Sequence, residues 1–171
     1  MTGIRADLGN GDGYHIGLVA DMDAIYVKDG DKTYPFHSCG HSIQTAVLAW
    51  VMKLLKDSGL VEKLDGTVSF IATPAEEFID FDYREEIRSD GKNHYFSGKQ
   101  NMIEQGIFDD IDCVISMHIN GDSGTSGDVG DLGYLIPTVQ FGFYGVKGGS
   151  TAVISRSQMK KMRIFTQLKL Y

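Results

Sequence analysis

Three short apolar segments, spaced so that helices fit between them, constrain the fold of this chain more than any other feature. They cover residues 14–20, 67–72 and 113–117. Each has the length and composition of a buried strand. Because strands and helices alternate along the chain, the pattern predicts an α/β fold, with a mostly parallel central sheet flanked by helices.

The segments between these strands have helical or loop character. Residues 42–57 predict an amphipathic helix, which Ser42 is placed to cap, and residues 98–105 predict a second, short helix. The lysine-, aspartate- and glycine-rich segment 24–36 predicts a loop, and residues 134–144 show further strand-like alternation. The predicted buried face of the first helix consists of Ile43, Ala46, Val47, Trp50, Val51, Leu54 and Leu55.

Polar side chains follow each predicted strand at the point where it ends. Asp21 and Asp23 follow the first strand, Glu76 and Glu77 the second, and His118 the third. The carboxyl ends of parallel strands lie along one edge of a sheet, where open α/β folds bind their ligands. We therefore expect these residues, which are far apart in the sequence, to converge there.

A thiol and an imidazole lie two residues apart, in Cys39-Gly40-His41, directly before the first helix. The glycine allows a tight turn, so that both side chains can face one ion. A cysteine and histidine pair suits zinc or another borderline-soft metal. Two other interpretations remain open at this point: a buried cysteine beside a hydrogen-bonded histidine, and a cysteine nucleophile with a histidine base.

The adjacent carboxylates Glu76 and Glu77 also allow two interpretations. Two neighbouring acids are typical of a solvated turn, and a single histidine such as His118 is often a structural core residue. Placed just after a buried strand, however, the two glutamates can divide two tasks. One can bind a metal, while the other takes a proton from water.

Four short motifs, taken in order, resemble the signatures of the metal-dependent amidohydrolases of peptidase family M20. They are Ala-Asp-Met-Asp-Ala at 20–24, His-Ser-Cys-Gly-His at 37–41, Pro-Ala-Glu-Glu at 74–77 and Met-His at 117–118. The family includes aminoacylase-like and carboxypeptidase-like enzymes and auxin-conjugate hydrolases. Its aminobenzoyl-glutamate hydrolase-like branch is the most similar, because Ser42 and Gln44 replace a commoner Asp and His and because an insert covers residues 78–95.

The resemblance implies the catalytic domain of a phosphorylase/hydrolase-like zinc exopeptidase and assigns roles to its residues. One or two divalent ions are expected, with zinc as the first choice and manganese, cobalt or nickel as alternatives. Glu76 becomes the general base, and Asp23 becomes a catalytic-site residue that orients a ligand histidine. The expected reaction is hydrolysis of the amide bond of N-acyl or aminobenzoyl amino acids or small peptides. The implied metal ligands are Cys39, His41, Glu77 and His118.

The resemblance covers residues 1–152 and implies that the catalytic domain is incomplete. It divides the chain into a partial metallohydrolase domain at 1–135, the start of an inserted lid or dimerisation domain at 136–154, and a basic tail unlike the family at 155–171. The tail has five basic side chains and no acidic one, which is also compatible with a terminal helix. The family's last ligand histidine and the histidine of its inserted domain have no counterpart after His118. The isolated chain is therefore expected to have little or no activity.

Composition limits the partners and the compartment. A net charge of -7 argues against nucleic acid, and no apolar run is long enough to cross a bilayer. Two cysteines make no disulfide framework, and the first residues lack a signal core. We expect a cytoplasmic protein with a small-molecule amide or dipeptide-like substrate, and self-association through the exposed edge of a truncated sheet. A non-catalytic metal-binding or interaction module and a cysteine hydrolase using Cys39 remain alternatives.

Overall fold

The computed structural model describes residues 2–10, 12–37, 39–121, 129–146 and 166–170. A short 3₁₀ turn covers Val61–Lys63. No helix in these ranges is long and apolar enough to cross a membrane. The elements are β1 (Ile4–Gly9), β2 (Tyr14–Asp21), β3 (Ile25–Asp29), β4 (Lys32–Phe36), α1 (His41–Asp57), β5 (Gly66–Thr73), α2 (Phe81–Ser89), α3 (Gly98–Glu104), β6 (Cys113–Gly121), α4 (Val129–Gly133), β7 (Thr138–Val146) and β8 (Thr166–Leu170).

Six of these strands form one sheet in the order β1-β5-β2-β6-β7-β8. The four central strands run parallel, while β1 pairs antiparallel with β5 and β8 pairs antiparallel with β7. The predicted mostly parallel sheet is confirmed, with antiparallel strands added at both edges. The third predicted strand extends beyond Met117 to Gly121, so His118 lies within a strand rather than after it.

The hydrophobic core lies on both faces of this sheet, because successive side chains of a strand point to opposite sides. On one face Leu18 and Ala20 of β2 pack with Leu48 and Met52 of α1. On the other face Val19 belongs to a cluster that includes residues of α3 and α4. Helices therefore cover the sheet on both sides, and the carboxyl ends of the parallel strands share one edge.

The prediction of a loop at 24–36 is wrong, because β3 and β4 form an antiparallel hairpin there. Ile25 and Val27 lie on the same side of β3, Ile25 pairs with Phe36 of β4, and Gly30 turns with a φ of 59°. Glycine adopts this left-handed conformation without a steric penalty. Four charged residues in this segment, Lys28, Asp29, Asp31 and Lys32, concealed its strand pattern.

The predicted buried face of α1 is wrong in part: Val51 and Leu55 are half-buried and pack against the core, but other members of that face are exposed. Trp50 and Leu54 are each 60% exposed, whereas the buried residues of the helix are His41, Gln44, Leu48 and Met52. The helix does not begin with a Ser42 cap either, since Gly40 occupies the cap position with a φ of 103°. This left-handed start turns His41 toward the sheet edge, and the residues one and two turns later follow it inward.

Candidate metal centre

The structure brings all the predicted site residues to the carboxyl edge of the parallel strands. Asp23 follows β2, the Cys39-Gly40-His41 turn opens α1, and Glu76 and Glu77 follow β5. His118 reaches the same place from within β6, since its ring lies 5.5 Å from that of His41, centroid to centroid, in an edge-to-face arrangement. The expected convergence of these side chains is therefore observed.

Cys39, His41 and Glu77 form the centre of this group. One potential ligand atom from each, namely a thiol sulfur, an imidazole nitrogen and a carboxylate oxygen, lies within 4.8 Å of the other two. Cys39 and His41 are buried, and Glu77 is half-buried. The φ of 103° at Gly40 provides the turn that allows Cys39 and His41 to face the same point.

Asp23 contacts each member of this group. Its Oδ1 lies 3.1 Å from His41 Nδ1, and its backbone oxygen accepts hydrogen bonds from the same nitrogen at 3.2 Å and from the Cys39 sulfur at 3.8 Å. The Glu77 backbone N–H donates to Asp23 Oδ2 at 2.8 Å. Asp23 therefore lies behind the donor atoms and holds the turn, the imidazole and the glutamate segment together.

Glu76 lies on the opposite side of the imidazole. Its Oε2 is 3.6 Å from His41 Nε2, and its side chain is 14% exposed. Because Asp23 occupies the Nδ1 side of the ring, Nε2 is the nitrogen turned toward Glu76. The adjacent residues Glu76 and Glu77 thus approach the same imidazole from one short segment.

Acidic groups surround the His41 imidazole and determine its pKa. Burial lowers the pKa of His41, but Asp23 and Cys39 outweigh burial and raise that pKa to about 11. Burial also raises the pKa of Glu77, and the nearby charge of Asp23 adds to this shift. Without another cation, the imidazole has to carry the positive charge that these groups attract.

This donor set fits a divalent metal ion. A thiolate, an imidazole and a carboxylate are ligands that zinc accepts. Asp23 Oδ1 is buried and accepts no hydrogen bond of good geometry from the described residues, although it lies near His41. A bound cation would replace the proton on His41 and match the surplus of negative charge.

Sequence reasoning did not find the buried polar network below this centre. Lys99 of α3 is fully buried and forms an ion pair with Asp21. Gln44 Oε1 accepts the Asp21 backbone N–H at 2.9 Å, and its Nε2 donates to Ser116 Oγ at 3.2 Å. The one sequence signal was Gln44 itself, at a position where the resembling family more often has a histidine. His37, the first residue of the His-Ser-Cys-Gly-His motif, is exposed, unlike the residues of this buried network.

A cavity of about 590 Å³ opens beside the metal centre. It extends from Asp23 and Ala75 at the strand ends to Arg84, Tyr83 and Tyr95 of the segment after β5. Cavities of this size are typical of small-molecule sites. The insert at 78–95 therefore forms a wall of this cavity. Asp23 lines it, whereas Glu76 and the four predicted metal ligands do not.

Comparison with known proteins agrees with this architecture. The model of Peptidase family M20/M25/M40 matches residues 17–162, which is most of the chain. The chain therefore belongs to this family of hydrolases, and the predicted family membership is confirmed.

Individual relatives support the same assignment. An Arabidopsis thaliana protein named IAA-amino acid hydrolase ILR1-like 6 is 29% identical, over 70% of this chain and 23% of its own length. The N-acetyl-L-cysteine deacetylase of Bacillus subtilis is 32% identical, over 68% of this chain and 26% of its own length. The chain thus spans about a quarter of the length of these curated relatives.

A solved structure extends the comparison to the fold. The YXEP protein of Bacillus subtilis, described as a dinuclear metal binding peptidase from the M20 family, has a TM-score of 0.52 and 28% identity. The match covers 71% of this chain and 31% of that protein. The predicted catalytic-domain fold of this family is therefore confirmed.

Proposed function

We propose that this centre holds one or two divalent ions through Cys39, His41, Glu77 and His118, and that it serves the hydrolysis of amide bonds. The observation that carries the proposal is the convergence of the Cys39, His41 and Glu77 donor atoms within 4.8 Å. These atoms come from two separate segments of the chain, and a purely structural cluster has no need for three ionisable donors at one point.

Each side chain has a distinct task in this proposal. A bound divalent ion would polarise the amide carbonyl and lower the pKa of water. Glu76 takes a proton from the attacking water as its oxygen bonds to the carbonyl carbon. As the carbon–nitrogen bond breaks, Glu76 gives that proton to the leaving amine. Asp23 holds His41 through Nδ1, so that Nε2 faces Glu76.

The proposed substrates are small N-acyl amino acids, aminobenzoyl amino acids or small peptides. Two relatives, named as an N-acetyl-L-cysteine deacetylase and an IAA-amino acid hydrolase, act by their names on amide bonds of this kind. We further propose that the resident ion is zinc. We also propose that the protein is cytoplasmic and can self-associate. Its net charge of -7 argues against nucleic acid.

Metal binding without turnover is a second candidate, which one observation favours. For a polypeptide of these 171 residues alone, no histidine follows His118, so the further ligand histidine and the transition-state histidine implied by the family resemblance would have to come from outside it. Loss of one group that stabilises the transition state lowers kcat by roughly 10²- to 10³-fold. The division into a partial metallohydrolase domain at 1–135, the start of an inserted domain at 136–154 and a tail at 155–171 remains a proposal. Residues 147–154 lie outside the described ranges.

The metal content of purified protein tests the centre directly. After loading with zinc or cobalt and removal of free ions, we expect wild-type protein to retain metal and Cys39→Ala to lose most of it. Cys113→Ala is the matched control, since Cys113 lies on β6 and is the other free cysteine. Equal metal content in the wild type and Cys39→Ala would contradict the assignment of Cys39.

Turnover is tested separately, with N-acyl amino acids and aminobenzoyl-glutamate as substrates. A chelator should abolish any hydrolysis by a metal enzyme and leave a cysteine hydrolase active. Metal retention without hydrolysis would favour the second candidate.

A further inference from the structure

We propose that Arg84 is the positioning residue of the Glu76-Glu77 pair, because its guanidinium fixes the backbone on both sides of Glu76. The inference rests on the proposed function of these two glutamates. It adds a residue from α2, a helix that contributes no ligand to the metal centre.

The geometry joins one planar group to both ends of the glutamate segment. Arg84 Nη1 donates hydrogen bonds to the backbone oxygen of Ala75 at 3.2 Å and to that of Phe96 at 2.6 Å. Its Nη2 donates to the backbone oxygen of Glu77. Ala75 and Glu77 are the immediate neighbours of Glu76. The guanidinium is therefore bonded to the backbone on both sides of the proposed general base.

This segment needs such support because it leaves the sheet in a strained conformation. Strand β5 ends at Thr73, and Pro74 has no N–H to continue the ladder. Ala75 has a φ of 59°, a left-handed conformation that is sterically unfavourable for an alanine. Strained residues persist where the surrounding contacts over-determine them. Here the Ala75 oxygen also accepts the Gly98 N–H at 3.3 Å.

An arginine suits this role better than any other side chain. The guanidinium is always charged and carries five N–H donors in a rigid plane, so it can hold several carbonyl oxygens at once. All the described hydrogen bonds of Arg84 go to backbone oxygens. Arg84 therefore fixes the position of the glutamates while their carboxylates stay available to a metal ion and to water.

Arg88, one turn later on the same helix, provides a matched comparison. Each arginine lies over a phenylalanine ring, Arg84 over Phe78 at 5.9 Å and Arg88 over Phe96 at 5.5 Å. Arg88, however, donates to the Glu85 carboxylate at 2.8 Å on the exposed surface. The two residues share helix, charge and aromatic contact, and they differ in the bonds to the glutamate segment.

The test compares Arg84→Lys and Arg84→Gln with Arg88→Lys and Arg88→Gln by amide hydrogen exchange, below the unfolding transition. Lysine keeps the charge and the stem over Phe78 but cannot span Ala75 and Glu77. We expect exchange in residues 75–79 to accelerate roughly tenfold or more in both Arg84 variants, because charge-assisted hydrogen bonds are lost. Exchange in β2 and β6 should stay unchanged, and the Arg88 variants should match the wild type.

A cobalt titration then asks whether Arg84 acts through Glu77. Arg84→Lys should weaken cobalt binding roughly tenfold in the wild-type background and have no further effect in a Glu77→Gln background, as coupled residues do in a double-mutant cycle. Equal losses in both backgrounds would overturn the positioning role, as would unchanged exchange in residues 75–79 or an increase spread evenly over the sheet. Absence of cobalt binding by the wild type would refute the proposed function, and the exchange data would still decide the role of Arg84.

Discussion

Asp21 and Asp23 lie two residues apart at the end of β2, yet their carboxylates enter two different surroundings. Asp21 is 2% exposed and bonds to the buried ammonium of Lys99 and to the Thr73 hydroxyl. Asp23 faces His41, Cys39 and the Glu77 backbone. One region of the sheet edge therefore carries its own cation, and the other gathers acidic donors around the His41 imidazole.

The Asp21 region has the properties of a structural ion pair. Burial would raise the pKa of Asp21, but the Lys99 charge and hydrogen bonds from Lys99 and Thr73 outweigh it, so that the pKa is lowered. The Asp21 backbone is held as well, since its oxygen accepts a hydrogen bond from Thr45 Oγ1 at 2.6 Å. These bonds connect the end of β2 to α1 through Thr45 and to α3 through Lys99. They therefore fix the position of the segment that leads to Asp23.

The Asp23 region differs because the described residues place an imidazole, and no ammonium group, beside the Asp23 carboxylate. The pKa of His41 is raised to about 11 there, and Asp23 Oδ1 lacks a hydrogen bond of good geometry among the described residues. Two acids of the same short segment, Asp21 and Asp23, are therefore distinguished by their partners. A carboxylate that has an internal lysine is structural, and one that shares a buried donor cluster calls for an external cation.

The largest expected effect lies on the Asp23 side and concerns chemistry. Glu76→Gln, made in a full-length family member with the same Pro-Ala-Glu-Glu segment, should lower kcat by roughly 10²- to 10⁴-fold, because the general base is removed. Metal content and the unfolding midpoint should stay near the wild-type values. Steady-state kinetics with N-acyl amino acids and metal analysis are the measurements, and retained turnover would exclude Glu76 as the base.

The next effect lies on the Asp21 side and concerns stability. Lys99→Met leaves the Asp21 carboxylate buried without its cation and should lower the free energy of unfolding by about 3–5 kcal/mol. Lys92→Met is the control, since Lys92 pairs with Asp90 on the exposed surface and should change little. Urea unfolding checks both variants. If Lys99→Met is as stable as the wild type, the proposed structural role of the pair is wrong.

Metal addition should produce a somewhat smaller change on the Asp23 side. A ligand at 100 times its Kd stabilises the folded state by about 2.7 kcal/mol if it does not bind the unfolded chain. We expect zinc to raise the Tm of the wild type and of the folded Lys99→Met variant, and to leave Cys39→Ala unchanged. A Tm shift of the same size in Cys39→Ala would remove the distinction between the two regions.

The smallest effect is a pH dependence that belongs to Asp21 alone. Because its pKa is lowered in the folded state from the usual 3.8, its contribution to stability is complete well above that value and is lost as the pH falls below it. In Lys99→Met, burial should instead raise the pKa of Asp21, so acid relieves the unpaired charge. The stability difference between wild type and Lys99→Met should therefore shrink between pH 7 and pH 3.5. A constant difference in urea unfolding would contradict this.

The positions of the three buried strands β2, β5 and β6, the order of the motifs and the residue types at the sheet edge were predictable from local sequence, whereas β1, the β3–β4 hairpin and β8 were not. An apolar run such as 67–72 excludes water over its whole length, so it forms a buried strand in almost any context. The turn Cys39-Gly40-His41 is equally local, because the freedom of one glycine and the reach of two side chains are contained in three residues. The sequence alone thus determined which donors meet and at which edge of the sheet.

The tertiary structure alone decided which face of α1 is buried, which acid has a cation and what holds the glutamate segment. Periodicity groups residues on a helix face, but the face that meets the sheet depends on how the helix begins, and here Gly40 turns His41 and Gln44 inward. The partner of Asp21 lies 78 positions away, and the Arg84 contacts are with backbone oxygens, which are present at every residue. Neither interaction leaves a local pattern, because the charge and the hydrogen-bond geometry become specific only when the elements pack together.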